Sequence, residues 1–421
     1  MQRTPVVTVF LRHRGEVLLL RRSEAVGSYT GTWGTVAGHV ADDEGVTRDP
    51  VVAARAEIHE ETGIADADVS LVRAGEPFDV DDGERRWRVH PSLFDCATRD
   101  VTPNEETTAF EWCSPTELLR RETVPRLWTS YDHVRPTVET VASDTEHGSA
   151  FLSYRALECL RDEAALRAEG RVDGDDAVGE VALALRDARP AMAVVANRVN
   201  RVMDRAGDPE GPEAVERAAS ETLAGAFDAD ERAAAWPASL DVPESVLTLS
   251  RSGTVRAALE SADPPRVFVA ESRPAREGVG VAESLAEGRE VTLHTDAAIG
   301  HVLATEAVDA VVVGADAVLA DGSVVNKTGT RLAALAAARE GVAVYVVCAA
   351  DKVTPREEPY LESGASGTVY DGDAAIDVLN PTFDVTPADL VSGVLTDRGV
   401  LGADGVREVA TEHARAAAWD A

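Results

Sequence analysis

Residues 308–327, VDAVVVGADAVLADGSVVNK, decide how the larger part of the chain is read. A β-branched apolar run over 308–313 ends at Gly314 and is followed at once by Asp316. A turn at Asp321-Gly322-Ser323 then leads to Asn326-Lys327. This spacing predicts a buried strand that delivers a carboxylate, an amide and an ammonium to one edge of a sheet. Working outward, further strands are expected at 246–249, 266–270, 290–294 and 342–348. Between them lie helical stretches, one reaching Leu259, then 278–287, one opening at Asp296, and 328–339. Apolar strands alternating with helices imply a parallel α/β sheet, so residues 240–421 read as a Rossmann-like domain.

Ligands on such sheets sit at the carboxyl ends of the strands. The polar groups expected there are Ser250, Arg251 and Ser252, then Glu271 and Arg273, then Asp296, then Asp316. Bare amides at Gly253 and the following helix start suit a phosphate. Arg251 and Arg273 would each add a charge-assisted contact. A single arginine is as well explained by a surface ion pair, but several convergent strand ends favour a phosphate or sugar-phosphate site.

The stretch before this domain, residues 148–239, is rich in Ala, Glu and Arg and reads as a helical subdomain. Phe151, Tyr154, Leu157 and Leu160 mark one helix, and Val178, Val181, Leu183 and Leu185 a second. A third opens at Pro190 with Met192, Val195, Val199 and Val202 on one stripe. Residues 129–147 form a connector.

Residues 1–128 have another pattern. Two apolar segments, 5–11 and 16–20, flank Arg14-Gly15 as a hairpin. A Gly-rich loop at 33–40 precedes a helix opened by Pro50 and closed by Gly63. Strands follow at 69–73, 87–94 and 110–113, then a helix start at Ser114-Pro115. On the Pro50 helix, Glu57, Glu60 and Glu61 fall on one face, where like charges cost a few tenths of a kcal/mol. A hard divalent cation, Mg2+ or Mn2+, would remove that cost. The competing reading is a solvated acidic helix face.

The full chain has 421 residues and a net charge of −33, with 74 acidic against 41 basic residues. Lys327 and Lys352 are its only lysines. Acid spread through every region suits a salt-adapted surface, of the kind found in extremely halophilic archaea, and disfavours binding to nucleic-acid phosphates. No apolar run reaches the ~18 residues of a membrane span, and the four cysteines are scattered. A cytoplasmic protein without disulfides is expected.

Two resemblances sharpen this. Gly38, Glu44, Glu57, Ile58, Glu60, Glu61, Gly63 and Ile64 resemble the Nudix box, with Trp33 before it and EWCSPTEL (111–118) after it. The resemblance implies an α/β/α sandwich around a mixed sheet, and hydrolysis of a nucleoside diphosphate linked to another moiety. It implies Mg2+ held by Gly38, Glu57, Glu60 and Glu61, with Glu60 also catalytic. Glu105 or Glu106 offers a further ligand, unless both lie on a solvated loop. The chain departs from the box where its arginine is expected. Ala56 stands there, and Arg55 is one position early, turned ~100° around the helix. The loop between Gly38 and Pro50 is also longer than the pattern.

The second resemblance rests on VFVAESRP (267–274), DAAIGHVL (296–303), VVVGADAVLADGSVVNKTGT (311–330) and NPTFDVTPADLVSGVLTDRGVL (380–401). These resemble a superfamily containing the regulatory subunits of translation initiation factor 2B, ribose-1,5-bisphosphate isomerase and methylthioribose-1-phosphate isomerase. The resemblance makes Asp316 a catalytic aspartate, Asn326 and Lys327 the adjoining substrate-binding pair, and the α/β domain a dimerising one. Ser250 stands where the isomerases carry a catalytic cysteine, and a serine is a far poorer acid–base group than a thiol. The expectation is therefore a two-headed enzyme, with a Nudix hydrolase ahead of a domain that binds or isomerises a ribose phosphate. The alternative is a regulatory protein of the initiation factor 2B type whose Nudix part senses a nucleotide.

Overall fold

Arg14 and Gly15, both at positive φ (49° and 84°), turn the chain between its first two strands, Thr4–His13 and Glu16–Arg22. From that hairpin the first of two compact units grows. The structure is a computed structural model that describes residues 3–41, 45–83, 85–172, 177–207 and 211–420. Its first unit comprises Met1–Thr137 with Arg161–Asp175, and its second Val138–Leu160 with Asp176–Ala421.

In the first unit an eight-stranded sheet runs in the order Trp33–Gly34, Glu16–Arg22, Thr4–His13, Arg86–Cys96, Val69–Ala74. Val36–His39, Phe78–Asp81 and Thr107–Cys113 pair onto its sides. Thr4–His13 and Arg86–Cys96 are parallel, with Val9 opposite Ser92, and the other pairings are antiparallel. The sheet is thus mixed. The helix Pro50–Thr62 covers one face. Asp49 caps it by accepting the Val51 and Val52 amides, and Gly63 ends it at φ 70°. Ala53, Ala54 and Ile58 pack on Val7, Val9, Leu11 and Phe94. On the other face Phe10, Leu19 and Leu93 meet Leu118, Leu127 and Tyr131, which completes an α/β/α sandwich. Arg161–Asp175 also belongs here: Ala165 and Leu166 pack with Leu119, and Asp162 accepts the Tyr131 hydroxyl at 3.1 Å.

The second unit has a seven-stranded sheet in the order Glu290–His294, Arg266–Ala270, Ser245–Leu249, Ala310–Val313, Ala343–Val347, Gly393–Thr396, Gly399–Leu401. All neighbours are parallel except the last edge strand. The chain steps outward twice from Ser245–Leu249, then returns to place Ala310–Val313 on its other side. Those two strand ends form the topological switch point, where open α/β sheets bind ligands.

Asn326 and Lys327 do not lie at the edge of this sheet, as the opening stretch suggested. Gly322 at φ 89° lets the chain fold back, with the Leu319 amide donating to the Ser323 carbonyl. Val324–Lys327 therefore joins a separate three-stranded antiparallel sheet, between Ala317–Val318 and Phe383–Thr386. The Asp316 amide bonds the Val325 carbonyl at 2.9 Å and ties the strand back beside Asp316.

The helices of this unit include Val178–Asp187, Ala193–Ala206 and Pro212–Ala234. The expected start at Pro190 is corrected to Ala193. Pro190-Ala191 form a turn closed by the Met192 amide on the Arg189 carbonyl, a position proline also favours. Pro212–Ala234 carries its buried stripe largely on alanines (Ala218, Ala219, Ala226, Ala229 and Ala233) and so lacks a strong apolar signature.

Candidate functional site

The first site sits where the Pro50–Thr62 helix meets the strand Val36–His39. A Cβ on Gly38 would lie 1.9 Å from the Glu57 carboxyl carbon, so only glycine leaves room for that carboxylate. The Ala37 amide donates to Glu61 Oε1 at 2.9 Å. Glu61 is 6% exposed. Its pKa is pushed up to about 8, foremost by loss of hydration. The Glu57 and Glu106 charges add to that rise, while the Ala37 amide and Arg22 oppose it.

Glu106 rather than Glu105 is the loop acid within electrostatic reach. Ser23 binds the carbonyls of both (2.8 Å to Glu106, 2.7 Å to Glu105), but Glu105 is exposed while Glu106 is half-buried. The structure does not bring Glu60 into this group, because it stays on the exposed side of the helix. Arg55 reaches Asp66 at 2.5 Å and lies over the Phe94 ring, and Ala56 is exposed. Glu44 lies outside the described residues. Among the described residues no three His, Cys, Asp or Glu side chains are already assembled around a cation position. The donor set still fits one: a buried carboxylate, a neighbouring carboxylate over a glycine cradle, and a third acid within range. Gly38→Ala should leave folding nearly unchanged, since the Glu57 carboxylate can swing aside, yet weaken Mn2+ binding at least tenfold in a calorimetric titration.

The second site lies at the switch point of the parallel sheet. A Cβ on Gly314 would meet Ser252 Oγ at 3.0 Å, which shows how closely the two strand ends approach. Ser252 caps the helix Gly253–Ala262 by accepting the Val255 amide at 3.2 Å. Gly253 is the first residue of that helix. Ser250 is at φ 63°. Its amide donates to Ser272 Oγ at 2.7 Å, and its hydroxyl donates to Glu277 Oε2 at 3.0 Å. The other Glu277 oxygen accepts from Lys327 Nζ at 3.0 Å. Asp316 is half-buried and its pKa is raised, first by loss of hydration. Lys352, the Ser149 hydroxyl and Lys327 pull it down, and Glu277 adds to the rise. Lys352 is buried and donates to the Ala315 carbonyl at 2.5 Å.

Ser250, Asp316 and Lys327 are thus gathered around Glu277. Other expected residues are engaged elsewhere. Asp296 accepts the Ser272 and Arg273 amides (2.8 and 2.7 Å) and pins that loop. Glu271 pairs with Arg276 at 3.3 Å. Arg251 donates to the Glu146 carbonyl, the Arg273 side chain is exposed, and Asn326 donates to Thr330 Oγ1 at 2.9 Å. Glu277 and Lys352 were missed in the sequence. The signal for Lys352 was its rarity, as one of two lysines among many arginines. Glu277 carried no such mark.

The family model described as the NUDIX domain matches residues 1–134. That of the Initiation factor 2 subunit family matches residues 145–403. A methylthioribose-1-phosphate isomerase of Carboxydothermus hydrogenoformans is 38% identical over 161 residues, 35% of this chain, and the chain spans 47% of that relative's length. A methylthioribose-1-phosphate isomerase of Pseudomonas fluorescens is 30% identical over 339 residues, covering 70% of this chain and 93% of that protein. Two solved structures from Pyrococcus horikoshii OT3 share the fold. The translation initiation factor eIF-2B has TM-score 0.53 and 24% identity, over 63% of this chain and 94% of that one. The 5-methylthioribose 1-phosphate isomerase has TM-score 0.51 and 21% identity, over 73% and 89%. A mixed-sheet sandwich matching the NUDIX domain therefore precedes a parallel α/β unit, and through that second part the chain belongs to the Initiation factor 2 subunit family.

Proposed function

We propose that the chain is a two-headed enzyme of nucleotide and pentose metabolism. Its NUDIX part hydrolyses a nucleoside-diphosphate-linked substrate with Mg2+ or Mn2+, and its second part binds and isomerises a ribose phosphate. The observation that carries the first activity is the buried Glu61 beside Glu57 and Glu106 over the Gly38 cradle. Glu57 and Glu61 would hold the cation, with Glu106 in support. The cation would neutralise diphosphate charge. Glu60, which the box pattern makes the catalytic base, lies on the exposed side of the same helix and would act only on a water held at the cation's outer edge. For the second activity the support is the acid–base cluster at the switch point, with Asp316, Lys327 and Ser250 in it, and the helix start at Gly253 beside it for a phosphate. The acidic, lysine-poor surface suits a salt-rich cytoplasm, and self-association through the α/β unit is part of this reading. No helix among the described residues is long and apolar enough to cross a membrane.

The test is an assay in molar KCl with Mg2+ against nucleotide sugars, ADP-ribose and nucleoside triphosphates, and separately against ribose 1,5-bisphosphate. At least one diphosphate is expected to be cleaved, and ribulose 1,5-bisphosphate to form. Silence across the diphosphate panel removes the hydrolase, and no ketose removes the isomerase. Ser250 at the cysteine position favours a second reading, a non-catalytic regulatory protein that binds initiation factor 2. Recovery of that factor with the chain from a high-salt extract, without turnover of any substrate, would select it.

A further inference from the structure

The helix Glu277–Leu285 starts hard against the end of the strand Arg266–Ala270. A Cβ on Gly278 would lie 2.0 Å from the Ala270 carbonyl oxygen, and the Gly278 amide bonds the Glu271 carbonyl at 3.1 Å. That close approach carries the Glu277 carboxylate to the switch point. Its oxygens take the Ser250 hydroxyl and the Lys327 ammonium, each at 3.0 Å, and its charge is felt at Asp316. Ser250 donates its hydroxyl proton to Glu277, so of this pair the carboxylate is the base and the hydroxyl its hydrogen-bond donor. Between a hydroxyl and an ammonium that both donate to it, the Glu277 carboxylate is the group with lone pairs directed into the cluster.

We propose that Glu277 is the proton acceptor of the second site, working with Asp316 as the acid, and that Ser250 only orients it. This rests on the reading of the site as a ribose-phosphate isomerase. With a ribose 1-phosphate or 1,5-bisphosphate in ring form, Glu277 takes the proton on C2. The C–H electron pair becomes the C1–C2 double bond, the bond from C1 to the ring oxygen breaks, and that oxygen takes the Asp316 proton. The C2 hydroxyl then returns its proton to Asp316 as the C2 carbonyl forms, and C1 takes the proton held by Glu277. Both side chains regain their starting states, and neither oxidant nor reductant is consumed. Loss of hydration at Asp316 favours the protonated form that this role needs.

The experiment uses the full chain with ribose 1,5-bisphosphate in deuterated buffer, followed by NMR for ketose formation and for deuterium at C1. Binding is measured by calorimetry, and folding of each variant by thermal unfolding. Glu277→Gln should lower kcat at least a hundredfold and abolish deuterium entry, with the dissociation constant changed by no more than about threefold. Ser250→Ala should lower kcat about tenfold by loosening Glu277, while deuterium still enters at C1. Turnover that survives Glu277→Gln, or vanishes in Ser250→Ala alone, overturns the assignment while leaving the isomerase reading in place. Tight binding by the unaltered chain without turnover or exchange also overturns it, and leaves a binding site only. No binding of any ribose phosphate removes the reading and the assignment together.

Discussion

Glu61→Gln should abolish divalent-cation binding and hydrolysis, and in the same variant stabilise the metal-free protein at alkaline pH. The two effects have one cause. Glu61 is buried, and loss of hydration with the neighbouring Glu57 and Glu106 raises its pKa from an ordinary 4.5 to about 8. The folded state therefore holds that proton more tightly than the unfolded chain does. The stabilisation is complete below about 4.5 and is lost as pH rises through about 8. The penalty at full ionisation is on the order of a few kcal/mol. Glutamine keeps an oxygen for the Ala37 amide but carries no charge to bury. In EDTA the variant should melt with the parent at pH 5 and several degrees above it at pH 9. A cation has the opposite requirement, because it needs the ionised form, so Mn2+ affinity in the parent should climb with pH up to about 8. A variant that melts below the parent at pH 9 would show that Glu61 is not a strained charge.

The second large effect is expected at Arg198, which is fully buried in the helix Ala193–Ala206. Its guanidinium donates to Asp351 at 2.9 Å, to Asp230 at 2.8 Å and to Ser153 at 2.7 Å. Tyr154 also donates to Asp230, and Arg201 pairs with Asp351. Burial works against ionisation of Asp351, but Arg198 and Arg201 outweigh it and hold its carboxyl well below the usual carboxylate range. Arg198→Met would leave two buried carboxylates without their main cation, at a cost of about 3–5 kcal/mol. Guanidinium chloride unfolding should show that loss in the transition of the second unit. Adding Asp351→Asn should recover part of it, because one stranded charge is then gone. The depressed Asp351 pKa adds stability above the ordinary value of 3.8 that is lost as pH falls below it. The parent should therefore lose more stability on acidification than the double variant. Equal stability of Arg198→Met and the parent would refute the network's structural role.

Elements whose signal is local were legible in the sequence. The Pro50–Thr62 helix announces itself by Pro50, its acid spacing and Gly63, and the apolar strands of the second unit by their unbroken β-branched runs. What escaped depends on partners distant in the chain. Glu277 reaches the site only because Gly278 lets a helix abut a strand end, and it meets Lys327 from 50 residues away in the chain. Lys352 points at Ala315 from beyond another strand. The separate sheet holding Asn326 and Lys327 follows from one positive-φ glycine, whose effect on sheet membership no periodicity records. Spacing put Glu60 with Glu57 and Glu61, but only the depth of the helix against the sheet separates the buried acid from the exposed one.

The helix Ser149–Ala168 counts with the second unit up to Leu160 and with the first from Arg161. The first unit is therefore discontinuous along the gene, although its family match stops at residue 134. A fission of the reading frame between the two matched regions would strip it of Ala165, Leu166 and the Asp162 partner of Tyr131, leaving apolar surface uncovered. A fragment of residues 1–137 should therefore melt below one that also carries the stretch through residue 175.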